Sequence, residues 1–537
     1  MGFTPSNESK YPFSVKSSSA PHLLPALNHR SIQACWLGTF LLLPWLNPYT
    51  AGPTPNVWPL LLSALCAIVL WTFRHRLNAR LVTAGWLIAA ALSVLIGLTQ
   101  YFGLAPALSP WISQTEAGEA FANLRQRNQF ATLTSIGLLV LIGWRAQREN
   151  SAGQQQVQEW RMPWWACLLG LLLALGNAAS SSRTGLLQWL LIAALTAWWA
   201  LPGRRWRLPV FAAQALLAYG VAVLMLPWLL ELATGLHSDG LFGRLVKSPG
   251  CSSRKVLWAN VLTLIAQKPW LGWGWGELDY AHFITLYPGP RFCEILDNAH
   301  NLPLHLAVEL GVPAAMAISG ALGWLAWRAQ PWREQNPVRQ TAWGVLTVIG
   351  LHSLLEYPLW YGPFQIAAGL SAWLLFSIGR ENQPLPDADV DGLDEKSKQK
   401  RPFAQYLRSL AAITMIVMLA CVAISYHRVS QIYLLPDKRS AAYREDTLDK
   451  VRGSRLFRNQ ARFAELSMTP LTPANAAAIY DLARDMLHYS PEPRVIEKVI
   501  ESAVMLGRDD EALQYLARYR AAFPQDHARW ASKNAGR

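Results

Sequence analysis

The chain has 537 residues, of which 52% are apolar and only 15% charged, with 26 tryptophans and a formal net charge of +14. Many apolar runs approach the roughly 20 residues that a bilayer-spanning helix needs, which excludes an ordinary soluble domain. The basic residues cluster in short loops between those runs, not on an aromatic-rich surface, which excludes a nucleic-acid partner.

Residues 1–30 are polar and basic, rich in Ser and Pro, and lack the apolar segment of a cleavable signal peptide. They read as a flexible cytoplasmic lead. A transmembrane domain is expected over 31–430, with about eleven spans near 31–46, 56–73, 81–100, 130–144, 163–180, 184–201, 208–230, 301–327, 341–356, 362–379 and 407–427. The 341–379 pair is the least regular, because Pro358 and Pro363 interrupt it.

Orientation follows from the short basic loops. Arg74 to Arg80, Arg145 to Arg161, Arg204 to Arg207, Arg328 to Arg339 and Arg380 to Arg408 all fall on one side, which is therefore the cytoplasm. The segments 100–129, 180–183, 231–300 and 356–361 then face outward. An odd number of spans puts residues 431–537 outside as well. That tail has helical patterning, with an acidic first turn at Asp509-Asp510-Glu511 and a tight turn at Leu506-Gly507-Arg508. Pro491 and Pro524 lie about one tetratricopeptide period apart, so the tail reads either as such a repeat or as a generic helical bundle. In both cases it is a protein-contacting module.

Cys35, Cys66, Cys167 and Cys421 fall in apolar runs and are expected in the core. Cys251 and Cys293 lie in the long polar interruption, where a disulfide can close the loop if that region is extracytoplasmic. No Cys/His spacing suits a metal, and no cofactor is expected.

Charged residues are nearly absent within the spans, which argues against an ion pathway. Polar groups crowd the outward boundary instead. Arg125 and Arg127 precede one span, Arg183 sits in a very short turn, and Arg254 and Lys255 follow Cys251-Ser252-Ser253. Outward arginines run against the positive-inside trend. Two readings fit them: a site for a lipid-linked phosphate or diphosphate, or snorkelling towards headgroups. The run Lys268 to Gly276 alternates Trp and Gly, as an interfacial turn anchored by indoles or as a sugar-stacking platform.

Asp297-Asn298-Ala299-His300-Asn301 opens the span at 301–327. A histidine at this boundary can exchange a proton near neutral pH. His305 and Glu309 continue the same pattern and are expected on other faces of its helix. At the 341–356 boundary, Glu356 and Tyr357 either orient His300 or an acceptor hydroxyl, or belong to an aromatic belt beside a helix stop.

These stretches, in order, carry a resemblance. Arg125 to Ala131, Ser182-Arg183-Thr184-Gly185, Ser253-Arg254 with Trp258, Pro269 with Leu271 to Gly276, Asp297 to Leu302, and Glu356-Tyr357-Pro358-Leu359-Trp360-Tyr361 cover much of 120–365. The chain resembles the superfamily of O-antigen ligases and polymerases, and more closely its bacterial protein O-oligosaccharyltransferases, which glycosylate type IV pilins. The resemblance implies an all-α glycosyltransferase membrane domain with a large periplasmic loop, here 231–300, in the inner membrane. It implies a glycan donor on undecaprenyl diphosphate, a pilin-like acceptor and no metal. It also implies His300 and Tyr357 as catalytic residues and Arg127, Arg183 and Arg254 on the diphosphate, with Asn301 and Glu356 in support. Two alternatives stay open. One is transfer to lipid A core or O-antigen polymerisation. The other is transport of a lipid-linked glycan without covalent chemistry.

Overall fold

The computed structural model describes residues 29–49, 56–124, 126–151, 163–201, 207–246, 250–381 and 394–534. Most of the expected cytoplasmic lead, Arg125, Arg161, Arg204 and Arg205 lie outside these residues, as does 382–393 within the expected basic loop at 380–408. Among the described residues every regular element is a helix.

The bundle begins with α1 (His29–Leu46), α2 (Trp58–Thr72), α3 (Ala79–Tyr101), α4 (Arg127–Ser151), α5 (Trp164–Ala179), α6 (Arg183–Ala200) and α7 (Arg207–Thr234). The large loop carries α8 (Gly240–Val246), α9 (Arg254–Gln267) and α10 (Leu278–Ile284). Then come α11 (Leu302–Leu310), α12 (Val312–Ala329), α13 (Pro337–Ser353), α14 (Gly362–Glu381) and α15 (Asp394–Ser430). Side-chain caps set several starts: Asn78, Ser182, Ser253, Asn301 and Asn336 each accept from a backbone N–H of the first turn.

Four segments, Ala79–Tyr101, Arg127–Asn150, Arg207–Thr234 and Gln405–Tyr433, are long and apolar enough to cross a membrane alone, and shorter apolar helices accompany them. Length and apolar composition suit these helices to a membrane. Burial separates their roles, since 89% of the apolar stretch of α4 is buried against 6% of that in α15. α4 is thus the central post and α15 a peripheral helix leaning on α2. A buried polar ladder ties α4 to its neighbours. Gln188 Nε2 donates to Thr132 Oγ1 at 2.8 Å and to the Val348 carbonyl at 3.1 Å, and Thr132 Oγ1 lies 2.9 Å from His352 Nδ1. In an apolar interior such bonds fix register, because leaving either partner unpaired is costly.

Three expectations change. Pro358 and Pro363 do not break a span, for Pro358 lies in the turn between α13 and α14 and Pro363 in the first turn of α14, where a missing N–H costs nothing. The span at 301–327 is two helices, α11 and α12, divided by Gly311 at φ +88°. The 18 residues of α12 already extend about 27 Å, close to the hydrocarbon thickness, which leaves α11 as an elbow at its end. Of the four cysteines expected in the core only Cys66 is buried, while Cys35, Cys167 and Cys421 face outward. The outer face of a membrane bundle is as apolar as its core, so apolar neighbours in sequence did not distinguish the two.

The Trp-Gly run is a tight turn bonded to that elbow. Trp273 N–H donates to the Val308 carbonyl at 2.8 Å, Gly274 N–H to that of Glu309 at 3.0 Å, and Val312 N–H to that of Pro269 at 2.8 Å. Gly272 (φ +69°) and Gly311 sit at the crossing, where a Cβ on either would overlap the opposing backbone.

The C-terminal domain comprises α16 (Thr447–Arg452), α17 (Arg458–Met468), α18 (Ala476–Leu487), α19 (Pro493–Met505), α20 (Asp509–Ala522) and α21 (Pro524–Asn534). The turn at Leu506–Arg508 separates α19 from α20, with Gly507 at φ +69° and the acidic residues 509–511 in the first turn of α20. Phe283 of α10 is buried in this domain's core with Leu466, Ile479 and Tyr480. His488 Nδ1 lies 2.7 Å from Glu277 Oε2 and its ring stacks on Tyr280 at 3.7 Å. The domain therefore sits on the large loop.

Candidate active site

The first turns of α4 and α6 and the turn after α13 meet at one end of the bundle, under the large loop. His300 is not within a helix, as the sequence pattern suggested, but just before one. It adopts a left-handed conformation, φ +49°, which costs a non-glycine residue about 1–2 kcal/mol. Its surroundings hold it there. Its N–H donates to Asn298 Oδ1 at 2.8 Å, the preceding Ala299 carbonyl accepts from Trp258 Nε1 at 3.0 Å, and the following Asn301 caps α11 through Leu304 N–H at 3.1 Å. Asn301 Nδ2 also donates to the Leu354 carbonyl at 3.0 Å. Asn301 is thus a clamp between the two segments.

His300 Nδ1 lies 2.6 Å from Glu356 Oε2. The Glu356 side chain is 8% exposed and further receives Arg254 Nη2 and, at 3.1 Å, Asn128 Nδ2. Burial alone would raise its carboxyl, but the hydrogen bond and charge of His300 together with Arg254 hold it below the ordinary range. A carboxylate only accepts, so the proton of neutral His300 sits on Nδ1 and Nε2 carries the lone pair. Nε2 has no partner among the described residues.

The Tyr357 ring meets His300 edge-on, with centroids 5.0 Å apart. Burial, then the nearby Tyr361, Asp297 and Glu356, push its phenol above the ordinary range, so it acts as a hydrogen-bond donor rather than a phenolate.

The arginines divide into two groups. Arg254 belongs to Glu356. Arg127 and Arg183 instead gather around Arg244 of α8, which is close enough to repel both. Arg127 is paired with Glu119, and Arg244 Nη1 donates to the Ser181 carbonyl at 3.4 Å beside Arg183. Three guanidinium groups gathered in this way make a surface suited to an anion. Sequence reasoning missed Arg244, although it too falls in the 231–300 segment expected to face outward. It also ranked Glu356 as supporting, whereas this carboxylate is the hub. Cys251 and Cys293 are joined, with Cα atoms 5.5 Å apart, closing a stretch that contains Arg254.

Three family models match the chain in order: protein glycosylation ligase over 120–146, O-antigen ligase over 168–319, and the C-terminal part of virulence factor membrane-bound polymerase over 340–535. Among curated proteins, a general O-oligosaccharyltransferase of Acinetobacter baylyi is 24% identical over 53% of this chain and 48% of its own length. A ComP-specific O-oligosaccharyltransferase of the same organism is 27% identical over 48% of this chain and 44% of its own. An O-antigen ligase of Pseudomonas aeruginosa is 30% identical over 53% and 59%. The chain thus spans about half the length of the curated relatives it matches. The ordered motifs and these matches point the same way: the chain is similar to O-antigen ligases and to protein-glycosylating ligases.

Proposed function

We propose that the protein is a glycosyltransferase that moves an oligosaccharide en bloc from undecaprenyl diphosphate to a Ser or Thr hydroxyl of a pilin-like protein. The observation that carries this reading is His300 Nε2, left free as a base by the Glu356 contact and adjoined by a cluster of arginines. The acceptor hydroxyl attacks the anomeric carbon and passes its proton to Nε2. The bond from that carbon to the diphosphate oxygen breaks, and the diphosphate leaves with the electron pair. Arg127, Arg183 and Arg244 stabilise the charge it gains. Single displacement inverts the anomeric centre. Tyr357 donates a hydrogen bond to the sugar or the acceptor.

The setting is the bacterial inner membrane, with about eleven spans and the site facing the periplasm. Docking of the C-terminal domain on the loop that carries Arg254 supports a common, periplasmic side for both, and its helical hairpins suit a tetratricopeptide-like, acceptor-contacting role. The names of the two Acinetobacter relatives support a protein acceptor, one of them a specific acceptor. Similarity to an O-antigen ligase supports a second reading, transfer to lipid A core.

The test is reconstitution with an undecaprenyl-diphosphate-linked oligosaccharide and a soluble pilin domain, reading the pilin's intact mass. A glycan-sized gain that His300→Ala abolishes is expected. Modification of lipid A core alone would assign the ligase reading. Net movement of the lipid-linked glycan with no product, unaffected by His300→Ala, would assign a transporter.

A further inference from the structure

Between the arginine turn and the His300–Glu356 pair lies one side chain that touches both. Asn128, the second residue of α4, accepts through Oδ1 from Ser182 Oγ at 2.6 Å and donates through Nδ2 to Glu356 Oε1 at 3.1 Å. Ser182 uses its lone pairs to accept from Gly185 N–H at 3.0 Å, capping the helix whose first residue is Arg183. Asn128 is itself the neighbour of Arg127. Its own carbonyl accepts from Thr132 Oγ1 at 2.8 Å, on the ladder that includes His352 and Gln188. His352 in turn accepts Glu356 N–H on its carbonyl at 2.8 Å. The circuit closes through α4, α6 and the end of α13.

We propose that Asn128 is a positioning residue that locks the phosphate-binding arginine turn to the base pair, so that attack and departure share one geometry. The role needs a side chain of this length that accepts at one end and donates at the other, which an amide does. A carboxylate of the same shape accepts from Ser182 but cannot donate to Glu356, and sets a like charge beside it. An aliphatic side chain does neither, and Ser182 and Glu356 each lose one of their hydrogen bonds.

The inference rests on the transfer reading, so its test has a readout that needs no turnover. Full-length protein in nanodiscs, wild type and Asn128→Asp, is compared by transfer kinetics against pH and by NMR titration of ring-labelled histidine. The His300 signal is identified by its loss in His300→Gln. The charged groups and titratable side chains around His300 are Glu356, Arg254, Tyr357, Asp297 and His305, and all stay in place. An added carboxylate beside Glu356 favours the imidazolium. The His300 titration and the acid limb of kcat are expected to move together to higher pH, by about one pH unit. On the plateau kcat falls roughly ten- to a hundredfold with a smaller change in donor KM. Ser182→Ala, which cuts the other end of the lock, lowers plateau kcat similarly, and the double variant falls by less than the product of the two. Unmoved titration and kcat in Asn128→Asp, or full multiplicativity in the double variant, would overturn the proposal. A shifted His300 titration in a protein that glycosylates nothing, wild type included, keeps the lock and discards the transfer reading.

Discussion

Glu356 Oε2 lies 2.6 Å from His300 Nδ1 across 56 residues of chain, and its second oxygen faces Arg254. One carboxylate therefore fixes the orientation of the imidazole and is itself paired with a guanidinium. Glu356→Gln keeps the shape but loses the charge and the fixed tautomer. Transfer should fall about a thousandfold with donor binding retained, as measured by kcat and donor KM. Because the folded protein holds this carboxyl below its reference value of 4.5, its contribution to stability is present above that pH. It is lost as pH falls through the folded value, and the substitution should remove that acid dependence.

Arg244 and Arg254 should fail differently. Under the proposed reaction Arg244→Ala removes a cation from the diphosphate site, so donor use should drop about ten- to a hundredfold, with a weaker dependence on salt. Arg254→Ala removes the positive charge on Glu356, so the acid limb of kcat should move to higher pH while donor KM changes less. Kinetics at two salt concentrations and several pH values separate them.

The Cys251–Cys293 bond spans 42 residues, and its loss should cost about 2–4 kcal/mol. Paired Cys→Ser substitution should lower the melting temperature and loosen the segment that presents Arg254. Thermal unfolding with and without reductant reads the first effect, and hydrogen exchange over 250–300 reads the second.

Asp279 of α10 has its carboxyl pushed up to about 7, first by burial and then by Glu277 and Asp297, against an opposing hydrogen bond from Tyr280 N–H. Its folded value exceeds the unfolded one, so folding favours the protonated form. The stability it lends is complete below about pH 4 and disappears as pH rises through 7. Asp279→Asn should therefore raise stability by roughly 1–3 kcal/mol at pH 8 and leave it unchanged at pH 4, by thermal melts at the two pH values.

Phe283 is 2% exposed inside the core of the C-terminal domain, so Phe283→Ala should cost about 3–5 kcal/mol at that contact. Glu277→Ala breaks only the half-exposed pair with His488 and should cost under about 1 kcal/mol. Hydrogen exchange at 278–284 should rise for the first and hardly move for the second.

The long apolar helices were legible because runs of apolar residues of that length report burial directly. The Ser182 turn, the loop disulfide pairing and the helical C-terminal segment were legible for similar local reasons. What escaped were relations between segments. The break at Gly311 was hidden because a helix in lipid and a helix against a loop are equally apolar. Arg244 lacked a motif around it, and only packing of α8 beside Arg183 shows its company. Arg254 looked like a third phosphate ligand, since sequence cannot tell that Glu356 takes it. His300 carried no sign of its left-handed backbone, which follows from contacts made by Asn298, Trp258 and Asn301.

The glycine crossing of Gly272 and Gly311 makes the outer end of α12 and the tip of the large loop a single mechanical joint. α12 is about as long as the hydrocarbon layer is thick, and α11, which Asn301 opens directly after His300, is tied to that joint by backbone hydrogen bonds. A change in α12 tilt is then converted into rotation of the segment holding the histidine. Turnover should accordingly depend on hydrocarbon thickness, with an optimum between short-chain and long-chain nanodiscs. A bulky residue at either glycine should abolish that optimum along with the joint.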